Sequence, residues 1–228
     1  MKRRGVLIGL LLLQLSFAFA GVECNSMESA LQNPTLVTTL TLVSKGLTEL
    51  PEEIGTLVNL EHLDVSGNRL TALPQGLFQL RKLKYLNLTA NRLTVLPAAI
   101  GNLRNLEELE FGFNSIKAVP KEIGALTKLI RINAARNGLV SLPTEMSRLI
   151  SLSIIDLSYN QFLALPQVLT TSKSLKAIDI SYCKVLSQIP DNIKNLQLLR
   201  LLNIVKTNVS AARIEDLKRL LPDCTIMM

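Results

Sequence analysis

The sequence predicts an α/β fold, a right-handed curved solenoid with a parallel concave β-sheet of about eight strands. Three observations carry that prediction. Pro51, Pro74, Pro97, Pro120, Pro143 and Pro166 are spaced by 23 residues each time, and Pro190 follows after 24. Each follows Leu, Val or Ile, so seven of the nine prolines share one register. A block of form L-x-x-L-x-L-x-x-N begins at Val37, Leu60, Leu83, Leu106, Leu129, Leu152, Leu175 and Leu199. Three residues after each proline comes an apolar residue (Ile54, Leu77, Ile100, Ile123, Met146, Leu169, Ile193), and in most units a Leu follows six residues on. A period of this length marks stacked supersecondary units, none of which buries its apolar side alone.

The first segment, 1–20, reads as a signal peptide. Met1-Lys2-Arg3-Arg4 is basic, Gly5 to Ala20 is apolar apart from Gln14 and Ser16, and Ala18-Phe19-Ala20 is a small-x-small pattern ahead of Gly21. Cleavage there predicts export, to the periplasm, the cell surface or the medium. The run is shorter than the ~20 apolar residues a spanning helix needs. Later apolar runs are broken at regular intervals, so no membrane span is expected in the mature chain. Glu23 beside Cys24 departs from a lipoprotein signal. Residues 21–36 form an N-terminal cap, in which Ser26 is a helix N-cap, Met27, Ala30 and Leu31 make one apolar face, and Asn33-Pro34 stops the helix.

Residues 37–209 hold the repeats. In L-x-x-L-x-L the alternating half is a short strand whose apolar side chains point into the core. The Asn closes the turn after the strand, where its side chain satisfies backbone groups otherwise left buried and unpaired. The proline, with its fixed φ and missing N–H, opens the return segment. Asn68, Asn91, Asn114, Asn137 and Asn160 fill the Asn slot, while Lys45, Cys183 and Thr207 replace it in the first and last two coils. Residues 210–228 form a C-terminal cap. Its helix, from Ser210 to Leu221, carries Ile214, Leu217, Leu220 and Leu221 on one side. Thr225 to Met228 then adds a last edge strand.

These blocks resemble the leucine-rich repeat family, specifically its 23-residue type with an L-P-x-x-I-G-x-L tail. The resemblance runs from about Val37 to the C-terminus. The overall layout is similar to that of short secreted bacterial members. The resemblance implies a binding module rather than an enzyme.

The search for chemistry agrees. The single histidine, His62, is at an outward strand position beside Thr39 and Tyr85, which complete neither a metal site nor a catalytic dyad. No Gly-rich phosphate loop, H-E-x-x-H or G-x-S-x-G is present. No catalytic residue, cofactor or metal ligand is expected. The formal charge is +7. Lys and Arg are dispersed along the chain, so no nucleic-acid partner is indicated. Cys24 and Cys224 fall at opposite ends of the coil stack and Cys183 two coils from Cys224, so no intrachain disulfide is expected. The sequon at Asn87 would place a sugar on the concave face.

Outward strand residues line that face. The third position reads Thr39, His62, Tyr85, Glu108, Arg131, Ile154, Ala177, Leu201, and the fifth reads Thr41, Asp64, Asn87, Glu110, Asn133, Asp156, Asp179, Asn203. The eighth position departs from simple polarity, with Phe113, Arg136, Tyr159 and Tyr182 on four successive coils. Tyr and Arg dominate binding hot spots. Asp156 and Asp179 are adjacent carboxylates, with Ser158 and Ser181 one step along. The expected site is an acidic floor edged by Tyr159 and Tyr182 and extended by Phe113 and Arg136, accepting a Lys or Arg of a protein partner. Glu108 and Arg131 are expected to pair with each other. The alternative ligand is carbohydrate or other envelope material.

Overall fold

A computed structural model describes residues 21–228. Residues 1–20, expected from sequence to be a signal peptide, lie outside the described residues. The chain forms one open sheet of ten parallel strands: β1 Val22–Cys24, β2 Val37–Thr41, β3 His62–Asp64, β4 Tyr85–Asn87, β5 Glu108–Glu110, β6 Arg131–Asn133, β7 Ile154–Asp156, β8 Ala177–Asp179, β9 Leu201–Asn203 and β10 Thr225–Met227. They lie in sequence order with no strand displaced. The eight blocks supply β2 to β9, as the periodicity predicts. Two more come from the caps. The C-terminal edge strand was expected; β1 was not, because three residues offer no alternation to read. It joins β2 with a shifted register, Val22 N–H donating to the Leu36 carbonyl at 3.1 Å.

The register makes the core. Leu40, Leu63, Leu86, Leu109, Ile132, Ile155, Ile178 and Leu202 face one another strand to strand. None is more than 3% exposed. Burying each such side chain stabilises the stack by about 1.5–3 kcal/mol. Opposite the sheet, each proline is the N-cap of a five-residue 3-10 helix, the first being Glu52–Thr56 and the last Asp191–Asn195. The proline carbonyl accepts the first helical bond, as from Ile54 N–H to Pro51 at 3.2 Å. Coils approach closely here. A Cβ on Gly124 would sit 2.5 Å from the Glu145 carbonyl oxygen of the next coil, so the I-G dipeptide follows from contact.

The asparagines tie coil to coil. Asn91 Nδ2 donates to the Val65 carbonyl of the preceding coil and the Leu88 carbonyl of its own, both at 3.0 Å, while its Oδ1 accepts from Leu70 N–H at 3.0 Å. Asn68, Asn114, Asn137 and Asn160 repeat this pattern. The caps close the ends. Helix α1, Met27–Gln32, is capped by Ser26, whose Oγ accepts from Ser29 N–H. Helix α2, Ala211–Leu220, is capped in the same way by Ser210. Arg213 on α2 reaches back to the Ile189 carbonyl at 2.6 Å and to Asp191 at 2.7 Å.

Candidate binding surface

The fifth and eighth positions of each block build one turn at the end of every strand. At the fifth, a short polar oxygen accepts from the N–H two residues on: Asp64 from Ser66, Asn87 from Thr89, Asn133 from Ala135, Asp156 from Ser158, Asp179 from Ser181 and Asn203 from Val205, at 2.8–3.2 Å. The Asp and Asn of this column therefore close the turn through their own side chains. Asn87 is buried, its Nδ2 donating to Asp64 Oδ2 at 3.2 Å.

The eighth position then takes the left-handed conformation. Ser44, Ala90, Phe113, Arg136, Tyr159, Tyr182 and Lys206 all have φ between 51 and 57°. Such a conformation costs a non-glycine residue roughly 1–2 kcal/mol. It is held because all of these but Lys206 donate their N–H to the next coil, Phe113 to Ala135 and Tyr159 to Ser181 at 2.8 and 2.9 Å. One backbone geometry repeated at a coil spacing of about 4.8 Å sets the side chains in a row. The result is a continuous stack. The Tyr159 and Tyr182 rings lie 4.3 Å apart and 4° from parallel. The Arg136 guanidinium carbon is 4.0 Å from the Tyr159 centroid and 4.9 Å from that of Phe113.

This arrangement modifies the expected site in four respects. Stacking covers the inner ring faces, so a partner's side chain meets ring edges and hydroxyls rather than slots between rings. Ser158 and Ser181 are buried and do not line the surface. Asp156 and Asp179 do stand in register, but they differ. Asp179 is occupied on both oxygens, Oδ1 accepting from Ser181 N–H and Oγ–H and Oδ2 from Asn203 Nδ2 at 2.7 Å. Asp156 is bonded through Oδ1 alone among the described residues. Glu108 and Arg131 are register partners but form no ion pair with each other among the described residues.

The charge of Arg131 acts instead on Glu110, the residue too long for the turn of its column. Burial holds the half-buried Glu110 carboxyl above the ordinary carboxylate range, Arg131 opposes that, and Glu108 and Asp64 reinforce it. Burial, then Glu110 and Asp64, raise the Tyr85 hydroxyl in turn. His62 sits beside this cluster, its ring 6.2 Å from Tyr85. Among the described residues no group of His, Cys, Asp or Glu is placed to hold a metal ion, and no helix is long and apolar enough to cross a membrane.

Ile154, Ala177 and Leu201 form a half-buried apolar row on β7 to β9, beside the aspartate row. Their signal was an apolar residue at an outward position on three consecutive coils. The C-terminal half of the sheet thus carries three parallel rows, apolar, acidic and aromatic.

A tandem parallel sheet, 3-10 return segments and an asparagine ladder define a repeat-protein scaffold. The chain belongs to the leucine-rich repeat family. The family description "leucine-rich repeat region" matches residues 20–134, and a further leucine-rich repeat matches residues 174–196. It is similar in structure to a leucine-rich-repeat protein of Leptospira interrogans, with 32% identity, 85% of this chain and 56% of that chain covered, and a TM-score of 0.71. The chain thus spans little more than half of that neighbour. Two more distant structures share the fold. One is the ectodomain of the plant membrane receptor kinase GASSHO1/SCHENGEN3 from Arabidopsis thaliana, solved in complex with CASPARIAN STRIP INTEGRITY FACTOR 2, at 20% identity, 90% and 28% coverage and TM-score 0.66. The other is the leucine-rich repeat domain of the type III effector XopL, at 21% identity, 88% and 79% coverage and TM-score 0.69. No curated protein matches the chain by sequence.

Proposed function

We propose that this chain is an exported, non-catalytic protein-binding module that holds a cationic segment of a partner protein on the C-terminal half of its concave face. The observation that carries this reading is the alignment of Ile154, Ala177 and Leu201, of Asp156 and Asp179, and of Tyr159 and Tyr182 on neighbouring coils. Apolar area, an under-paired carboxylate and exposed tyrosine edges together are the composition of a binding hot spot. A Lys or Arg would set its charge at Asp156 and its stem on the apolar row. The basic n-region and the small-x-small motif support export. The plant ectodomain solved with its factor gives a precedent for the fold as a binding scaffold.

Protein is favoured over carbohydrate because sugars dock on ring faces, and here the inner faces cover one another. Crosslinking capture from the native extracellular environment, run beside a glycan array, tests the reading. A captured protein that is lost with Tyr159→Ala plus Tyr182→Ala supports it. Capture that survives the double variant, or binding to glycans alone, overturns it.

A further inference from the structure

The cations that are dispersed along the sequence recur in one part of the coil, just after the strand. From the second coil to the seventh, the segments between each strand and the next Leu-Pro, Val-Pro or Ile-Pro pair carry Arg69, Arg92, Lys117, Arg136 and Lys184 and no Asp or Glu, the sixth coil alone having no cation, and Lys206 follows the strand of the eighth. All six are exposed and none enters an ion pair among the described residues. The sheet beside them has the opposite sign: the third and fifth positions hold Asp64, Glu108, Glu110, Asp156 and Asp179 against Arg131. An acidic face therefore meets a basic edge.

Arg136 is the one member of that edge whose side chain is held. Its guanidinium lies between the Phe113 and Tyr159 rings. A guanidinium stacked on aromatic faces keeps its N–H donors in the plane, pointing outward from the stack. No described residue accepts a side-chain hydrogen bond from Arg136, although Arg81, Arg200 and Arg213 all find carbonyls. The rings have removed rotamer freedom that a carboxylate would otherwise have to immobilise on binding.

The geometry points to Arg136 as the receptor for a carboxylate of the bound partner, at the centre of the basic edge. This rests on the reading of the sheet as a protein-binding face and extends it: the partner segment carries both signs, with basic residues over Asp156 and an acidic residue on the Arg136 fork. A phosphate polymer following the edge would run along the aspartate row and be repelled by it. A mixed-charge polypeptide satisfies both rows.

Small probes test the receptor without the partner. The full chain is titrated with the methylamide of N-acetylglutamate, its glutamine counterpart, N-acetylglycine and inorganic phosphate, observing the Arg136 Nε–H resonance by NMR. A saturable shift with the glutamate probe and none with the glutamine probe is expected. Arg136→Lys keeps the charge but loses the planar fork, and should weaken that binding by about fivefold or more. Phe113→Leu with Tyr159→Leu frees the guanidinium and should also weaken it. N-acetylglycine binding more tightly than the glutamate probe would support the receptor and assign it a chain-terminal carboxylate. Equal response to glutamate and glutamine probes, tighter binding of phosphate, no saturable shift, or an Arg136→Lys variant that binds unchanged would each overturn it. Because no partner is present, a failed capture experiment and a failed titration are separate results.

Discussion

The Cys183 thiol donates to the Leu157 carbonyl at 3.4 Å, 26 residues back, the same step that Asn68, Asn91, Asn114, Asn137 and Asn160 take with their amides. It also accepts from Asn160 N–H at 3.4 Å. A buried thiol thus stands in for the asparagine donor with a weaker bond and accepts from a different N–H, 23 rather than 21 residues back, and burial pushes its ionisation above the ordinary thiol range.

Removing a strong member of the ladder and the weak one should have different costs. Asn91→Ala orphans the Leu70 N–H, a loss of about 1–3 kcal/mol for an unsatisfied buried group, and removes one of the two amide donors from each of the Val65 and Leu88 carbonyls, which keep Asn68 and Asn114. Cys183→Ala loses only sulfur contacts and should cost less. Chemical denaturation of the two variants checks this; equal losses would show that the amide bonds carry no special weight.

The convex contacts set a second limit. Gly124→Val places its Cβ 2.5 Å from the Glu145 carbonyl oxygen and forces neighbouring coils apart. Overpacking of this kind costs about 1–3 kcal/mol. Gly138→Ala, where the nearest atom is 3.5 Å away on the Lys117 side chain, is the control and should be nearly neutral. Thermal melting distinguishes the two.

The stacked row should affect binding far more than folding. Tyr159→Ala with Tyr182→Ala removes side chains from residues 38% and 36% exposed, so the roughly 0.5–1.5 kcal/mol of the stacked pair is lost together with their partly buried area, less than truncating two core aromatics would cost. Partner affinity should fall by more than about 1–2 kcal/mol, the range of hot-spot residues. Calorimetry with the captured partner, paired with a melt, measures both; a variant that melts early and binds normally would contradict the assignment.

Glu110 predicts a pH dependence. Burial raises its carboxyl above the ordinary value of 4.5, so the folded chain holds a proton that the unfolded chain releases. Its contribution to stability is complete below 4.5 and is lost as pH rises through the raised value. Glu110→Gln abolishes that loss, so its stability should gain on the wild type with rising pH across this window. Denaturation midpoints of both proteins across the window test the sign, and parallel curves would exclude it.

The order of the coils, the buried columns from Leu40 to Leu202 and the asparagine slot were legible because each depends only on residue type at a fixed local spacing. The same spacing named Phe113, Arg136, Tyr159 and Tyr182 as a row and Asp156 and Asp179 as neighbours. Three things were decided only when the coils stacked. The left-handed backbone at the eighth position brought rings and guanidinium face to face, covering the inner ring faces. Hydrogen bonding within the fifth-position turn occupied Asp179 and left Asp156 with an oxygen to spare. The segments between strand and proline set the dispersed cations on the same side of successive coils. A repeat period states which residues are equivalent; how far apart equivalent side chains stand, and what they spend their hydrogen bonds on, depends on φ, ψ and coil spacing, which no single repeat contains.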